Sequence, residues 1–324
     1  MREPYRGISE EFELPTSFVY NQTNFTNSRI GVAIGIYTNV MLYHYTSFES
    51  LLNMLGGIHD DMLELWASSA FAMNDPSEMQ LGYDFLRKFL KEYEGGIKGF
   101  TDLYELMPPS KTHVFSIDDS QYHFDKHFTP FIISFSYNED FLPMWHVYGN
   151  RGKGVCLGFD EDLLDQKLSS PICYLHSVAY EESTPEDKII LESLASTIIR
   201  SYNHYNEIKK SLSNKTEESI LKGFVIRHIC PFVSAFIKNK DYSFENEVRL
   251  MIMNDLESPE VNIRQNKNHR IIPYIKVKIP LRCLKDITLG TGISTKENKT
   301  YLESYLRRYS KGDIVSFSKV LYRI

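Results

Sequence analysis

Nowhere in its 324 residues does this sequence run apolar long enough to span a bilayer as a helix, because polar or charged residues break every apolar stretch first. The opening Met-Arg-Glu-Pro-Tyr lacks the basic-then-apolar layout of a secretory leader. Cysteine is scarce, with Cys156, Cys173, Cys230 and Cys283 widely spaced and no Cys-x-x-Cys pair. That excludes a zinc ribbon and a disulfide scaffold, and it suits a reducing compartment. Apolar neighbours around Cys156 and Cys230 mark buried thiols. These absences predict a cytoplasmic protein with no membrane partner. Basic charge is not in excess either: 36 Lys and Arg against 42 Asp and Glu leave a net charge of −6. No global field exists to hold a phosphate backbone, so nucleic acid would find only local contacts.

Several catalytic signatures are missing as well. Gly149-x-x-Gly152-x-Gly154 lacks the Gly-Lys-Ser/Thr ending of a phosphate loop and precedes a strand rather than a helix. Arg151 and Lys153 on that loop remain candidates to meet a pyrophosphate as mobile charges. No Gly-x-Ser-x-Gly elbow occurs. His123 and His127 share a helical spacing without a third ligand or a zincin glutamate, so no metal site is expected there.

What is present is an ordinary globular balance, 42% hydrophobic and 13% aromatic, long enough for one large domain or two modest ones. Tyr (21) and Phe (20) are frequent while Trp (2) is rare, which favours half-buried β-surface over a stacking platform. Residues 1–39 read as an extension or irregular arm. Order begins with a strand at 40–46, then a helix at 47–55 capped by Ser47 and ended by Gly56 and Gly57. A strand at 63–68 leads to the turn-prone Asn74-Asp75-Pro76, a helix at 84–94, and a mostly loop stretch at 95–128. A strand at 131–136, a short helix bearing Trp145 and Tyr148, and a strand at 155–159 form a hairpin-like passage. Two long amphipathic helices at 185–211 and 216–238 follow, joined through Ser213-Asn214-Lys215 and expected to pair antiparallel. Strands at 245–252, 271–279 and 286–290, a helix at 296–309 and a final strand complete the chain. Strands, a helical insertion, then more strands predict an α+β fold with a mixed or antiparallel sheet, residues 40–324 forming one domain with its insertion at 185–238.

Four clusters carry chemistry: Tyr43-His44-Tyr45-Thr46, Asn74-Asp75-Pro76-x-Glu78, Ser134-Phe-Ser136 with the following Pro-x-Trp-x-x-Tyr, and Glu245-x-Glu247-x-Arg249. In this order and at these spacings they resemble the uncharacterised bacterial family "domain of unknown function 2971". More distantly, the motif order is similar to the ADP-ribosyltransferase superfamily, its DNA-targeting toxin branch in particular. That resemblance implies an ADP-ribosyltransferase-like sheet, NAD as substrate, a nucleotide-binding site with an unidentified acceptor macromolecule, and a setting in toxin or phage-defence biology.

The chemistry suits those residues. Breaking the nicotinamide–ribose bond passes through an oxocarbenium-like state, which needs a carboxylate near the ribose and an aromatic face against nicotinamide. The resemblance implies His44 on a ribose hydroxyl, Glu247 as the catalytic carboxylate and Glu245 orienting the acceptor. Tyr43, Tyr45, Asn74, Asp75, Ser134, Ser136 and Arg249 would complete the nucleotide site. On a strand of period two, Glu245, Glu247 and Arg249 would share a face, and their charges could be buried only with partners. Blander readings stand beside these. His44 could be a satisfied core histidine, the Glu-x-Glu-x-Arg face a solvated strand, Asn74-Asp75-Pro76 a helix-capping turn, and Trp145 with Tyr148 core anchors. Two functional rivals remain: a non-catalytic nucleotide-sensing module, and a metal-dependent hydrolase or nuclease using Asp75, Glu78, Glu245 and Glu247.

Overall fold

The computed structural model describes residues 40–73, 78–92, 129–167, 173–181, 184–194, 230–266 and 269–320, with residues 104 and 203. The arm at 1–39, Asn74 and Asp75, His123 and His127, and the connection at 213–215 lie outside the described residues. So does the expected pairing of the two long helices.

The strands are β1 (Met41–Ser47), β2 (Met62–Ser69), β3 (Thr129–Ser136), β4 (Gly154–Asp160), β5 (Cys173–Ser177), β6 (Glu247–Asn254), β7 (Asn262–Gln265), β8 (Ile271–Pro280), β9 (Leu284–Leu289) and β10 (Val315–Phe317). They form one open sheet ordered β10-β9-β4-β1-β3-β2-β8-β7, with β6 against β3 and β5 against β6. Every pairing is antiparallel except β10 with β9. Fold class is thus α+β on a mostly antiparallel sheet, as the element order predicts. Among the described residues no helix is long and apolar enough to cross a membrane.

Local sequence accounts for the early elements. Ser47 sits extended (φ −73°, ψ 155°) and its hydroxyl accepts the Ser50 N–H at 3.0 Å, so α1 (Phe48–Gly56) starts there. Leu51, Met54 and Leu55 bury one face of that helix, and Gly57 returns its N–H to the last turn. α2 (Glu78–Glu92) buries Met79, Tyr83, Leu86 and Leu90, a helical stripe. The short helices α3 (Leu142–Val147) and α4 (Glu161–Lys167) flank β4, α5 (Cys230–Ala235) precedes β6, and α6 (Lys296–Leu306) precedes β10.

Alternation along the strands sorts the core into two faces. Leu63, Leu65 and Ala67 of β2, Phe131, Ile133 and Phe135 of β3 and Val248 and Leu250 of β6 join the cluster under α1 and α6. On the opposite face, Ile132 and Met251 pack with α2, α5 and the helical residues 190–194. Ser134, Glu247 and Arg249 share the parity of this second face.

Three expectations change. β3 and β4 are not a hairpin, because β1 pairs with all seven residues of β4 and stands between them. The helix expected to reach 238 ends at Ala235, and Ile237 bridges Ala179 instead. Glu245 is not on a strand. It closes a 3₁₀ turn (Lys240–Glu245), and Asn246 takes the left-handed conformation (φ 44°) before β6 begins at Glu247. Asn is among the few side chains that tolerate that conformation. The short strands β5 and β7 escape sequence reading: β7 is exposed along its length and has no buried face to make a pattern.

The close approach of α2 to α5 is testable. A Cβ on Gly82 would lie 2.3 Å from the Ser234 Cα, which is backbone and cannot swing away, whereas a Cβ on Gly56 meets nothing within 4 Å. Gly82→Ala should cost roughly 1–3 kcal/mol or more by overpacking. Gly56→Ala should be neutral or stabilise by about 0.4–1 kcal/mol. Urea midpoints of the two variants measure the contrast.

Candidate functional site

The sheet is split, and the site lies in the split. β6 pairs with the whole of β3 and so takes one edge of that strand. The other edge is shared. β2 pairs at Phe131 and Ile132, and β1 pairs at Ser136 opposite Tyr43. Backbone groups alternate in direction along a strand, so Ser134 turns its carbonyl toward this shared edge, between the two partners. A buried carbonyl left there would be costly. The His44 ring fills the gap: Nδ1 lies 2.9 Å from the Ser134 carbonyl oxygen, and the ring meets Phe135 edge-on at 5.9 Å.

This bond settles the tautomer. A carbonyl only accepts, so Nδ1 carries the proton and Nε2 presents a lone pair. Burial lowers the His44 pKa from its ordinary value, and the Ser134 carbonyl opposes that shift. A neutral imidazole with an acceptor nitrogen is the state the split favours. His44 is therefore satisfied on one nitrogen, as in the core-histidine reading, while it also lines a cavity of about 280 Å³.

The cavity floor carries a buried ion cluster. Glu245 and Glu247 are 2% and 3% exposed and Arg249 0%, so the solvated-strand reading fails. Lys238 Nζ donates to Glu245 Oε2 at 2.6 Å and to Glu247 Oε2 at 3.1 Å. Arg249 grips Glu247 with both Nε and Nη2 at 2.9 Å, and its Nη1 donates to the Ala235 carbonyl at 2.6 Å. Two carboxylates face two cations, so the cluster balances. Tyr148 donates to Glu245 Oε1 at 2.6 Å, and the Ser134 hydroxyl bonds the Glu247 carboxylate. The Tyr180 hydroxyl accepts the Glu247 N–H at 2.8 Å. Burial raises the Glu247 pKa, Lys238 opposes it, and the Glu245 charge adds to it. Burial alone would lower the Lys238 pKa, but the two glutamates reverse the sign and hold it cationic. The left-handed Asn246 makes this convergence feasible, because it lets carboxylates from a turn and a strand meet at one ammonium.

The expected residues divide accordingly. His44, Tyr43, Tyr45, Ser134, Glu245 and Glu247 line one cavity. Ser136 and Arg249 do not. Ser136 is wholly buried, donating to the Glu245 carbonyl and accepting the Asn138 N–H at 3.0 Å. Arg249 is spent on Glu247 and Ala235, so it is no free phosphate ligand. The Tyr45 hydroxyl is tied to the Asn138 carbonyl at 2.8 Å and that of Tyr43 to Glu139 at 3.1 Å, leaving their rings as lining. Asn74 and Asp75 lie outside the described residues, although Ala72 and Met73 just before them reach the cavity. Arg151 and Lys153 are exposed and absent from its lining. Trp145 is a core anchor, donating to Asp140 at 2.8 Å, but Tyr148 reaches the site.

Lys238 escaped the sequence reading. Its signal is a lone cation closing the run Phe232-Val-Ser-Ala-Phe-Ile237, where an ammonium that follows core residues needs a buried acid. Of the four acids in the metal reading, Asp75 and the Glu78 side chain lie outside the described residues. The two converging carboxylates already hold cations that a metal would have to displace, and no group of three His, Cys, Asp or Glu converges among the described residues.

A family model described as "Protein of unknown function (DUF2971)" matches residues 144–250. The match contains Tyr148, Lys238, Glu245, Glu247 and Arg249, whereas His44 and β1 to β3 precede it. No curated protein and no solved structure matches the chain.

Two measurements probe the site. Lys238→Met should destabilise by about 3–5 kcal/mol, because two buried carboxylates lose their shared cation. Protonating one of them relieves the repulsion, so the deficit in urea midpoint should shrink as pH falls; a pH-independent deficit would contradict the charge account. For His44, the pKa is lowered in the fold, so its neutral state adds stability at neutral pH that is lost as pH falls below the ordinary histidine value. Nitrogen-15 NMR should show protonated Nδ1, bare Nε2 and a midpoint below 6.5.

Proposed function

We propose that this chain, whose residues 144–250 match the DUF2971 family model, is a cytoplasmic NAD-using enzyme that cleaves the nicotinamide–ribose bond and transfers the ADP-ribosyl group to an acceptor macromolecule or to water. One observation carries the reading: His44, Ser134 and Glu247, from three separate strands, meet on one cavity in a split sheet. The superfamily likeness is an analogy of motif order, and the side chains gathered on the cavity support the reading.

The arrangement suits the step. Nε2 of His44 accepts from a ribose hydroxyl, since Nδ1 is already committed. The bond from ribose C1′ to the pyridinium nitrogen breaks and its electron pair leaves with nicotinamide, which becomes neutral. Positive charge develops on the ribose, where the Glu247 carboxylate stabilises it. Arg249 and Lys238 fix that carboxylate, and preorganisation removes the reorganisation cost at the moment of reaction. Glu245 orients the attacking hydroxyl or water, whose oxygen bonds to C1′ and whose proton is then released to solvent. Toxin or phage-defence biology is the setting that the superfamily likeness suggests.

A second reading has its own observation. Both glutamates are already bound to cations, which also suits a sensing module that binds a nucleotide without turnover.

Nicotinamide release from NAD separates the readings. Glu247→Gln should retain NAD binding and lose cleavage by roughly two to three orders of magnitude. Glu245→Gln should impair transfer more than hydrolysis. His44→Gln lies outside the ion cluster and should raise KM and lower kcat without unfolding the protein, so a folding defect in Glu247→Gln leaves the idea testable. Binding without release by the wild type would favour the sensor. Chelator-sensitive hydrolysis of another substrate would replace both with the metal enzyme.

A further inference from the structure

The cavity is small for a dinucleotide. At about 280 Å³ it falls at the low end of ligand pockets, which span roughly 300–1,000 Å³. A nucleoside-sized group fills it, and the rest of a larger ligand must leave over the rim. The rim on the β2 side carries the residues such a remainder would need.

Among the described residues, two cationic side chains line the cavity, Lys238 and Arg264. Lys238 is consumed by Glu245 and Glu247. Arg264, on β7, is exposed, donates to the Ser68 hydroxyl at 3.0 Å, and forms no salt bridge among the described residues. Neighbouring cations differ: Lys276 on β8 is paired with Glu64 at 3.0 Å. In a chain of net charge −6, a cation at the mouth of a cavity with no acid paired to it among the described residues is available to an anion. Beside it stands Trp66, 38% exposed, its ring stacked on Tyr274 with centroids 4.6 Å apart and planes at 25°. Ser68, which Arg264 reaches, is the register partner of Tyr274, so Arg264 lies on the strands next to the stacked Trp66–Tyr274 pair. Exposing an indole in this way costs hydration unless something covers its outer face.

We propose that Arg264 and Trp66 form a nucleoside-phosphate subsite, Arg264 binding phosphate oxygens and Trp66 stacking the base. It rests on the reading of the split as a nucleotide site and extends it: the ribose to be cleaved enters the split, and the adenylate half lies on β2 and β7. Guanidinium geometry suits phosphate oxygens, and an aromatic face accepts any planar base.

The test uses the full chain and three probes: ADP-ribose, adenosine and NAD. Trp145 is buried, so a fluorescence change on binding reports Trp66. Arg264→Gln should weaken ADP-ribose about ten- to a hundred-fold and leave adenosine unchanged, since only the former carries phosphates. Trp66→Ala should weaken both by roughly tenfold, and Trp66→Phe should keep binding but abolish the fluorescence change. With NAD, Arg264→Gln should raise KM and leave kcat. Arg264 is exposed, so Arg264→Gln should melt as wild type does, and Trp66→Phe keeps an aromatic ring on Tyr274 where Trp66→Ala loses the stack. Unchanged ADP-ribose affinity in Arg264→Gln overturns the subsite, and if nicotinamide release persists the enzymatic reading survives alone. Arg264-dependent ADP-ribose binding without nicotinamide release supports the subsite and removes the catalysis. No binding of any probe overturns both.

Discussion

Lys238 is the residue on which the site depends. Two buried glutamates on one floor would repel each other by several kcal/mol in a medium of low polarity. A single ammonium touching both turns that repulsion into a bridge, and Arg249 completes the neutral set. The backbone around it is arranged to serve that contact. Asn246 turns the chain left-handed between the two acids, the Ser136 hydroxyl holds the Glu245 carbonyl, and the Tyr180 hydroxyl receives the Glu247 N–H. A cluster so thoroughly tied has one rigid geometry, which is what electrostatic stabilisation of a short-lived cation requires.

Much of the architecture is legible in the sequence, and the reasons are local. Ser47 and the glycines after it mark α1 because caps act within a turn. The strands around 131–136 and 155–159 stand out because runs of apolar and β-branched residues have few other uses. A period of two places Glu245 on a strand and cannot reveal that Asn246 turns left-handed; that conformation depends on the hydrogen bonds around it. β7 has no apolar pattern to read, and the insertion of β1 between β3 and β4 depends on pairing partners far apart in the chain.

The site is legible to a similar depth. Polar residues at His44, Ser134 and Glu247 on otherwise apolar strands are conspicuous, and the structure gathers them on one cavity. Ser136 and Arg249 look equally functional in sequence, yet Ser136 is wholly buried and holds a backbone carbonyl, while Arg249 serves another side chain. Residue type cannot tell a group that faces a ligand from one that braces its neighbour. Lys238 and Arg264 show the converse: each looks like an ordinary cation until the fold supplies, or withholds, an acid beside it.

The split also divides the sheet mechanically. One wing runs from β1 outward to β10 and the other from β2 outward to β7, and along β3 they are joined to it by one register pair on the β1 side and two on the β2 side. By contrast β3 and β6 are matched over eight positions. The protein is thus a stiff spine bearing two leaves on short seams, with α1 strapped across the top from β1 to β2. The opening at Ser134 lies between the leaves, so a ligand seated there would touch both and act as a splint.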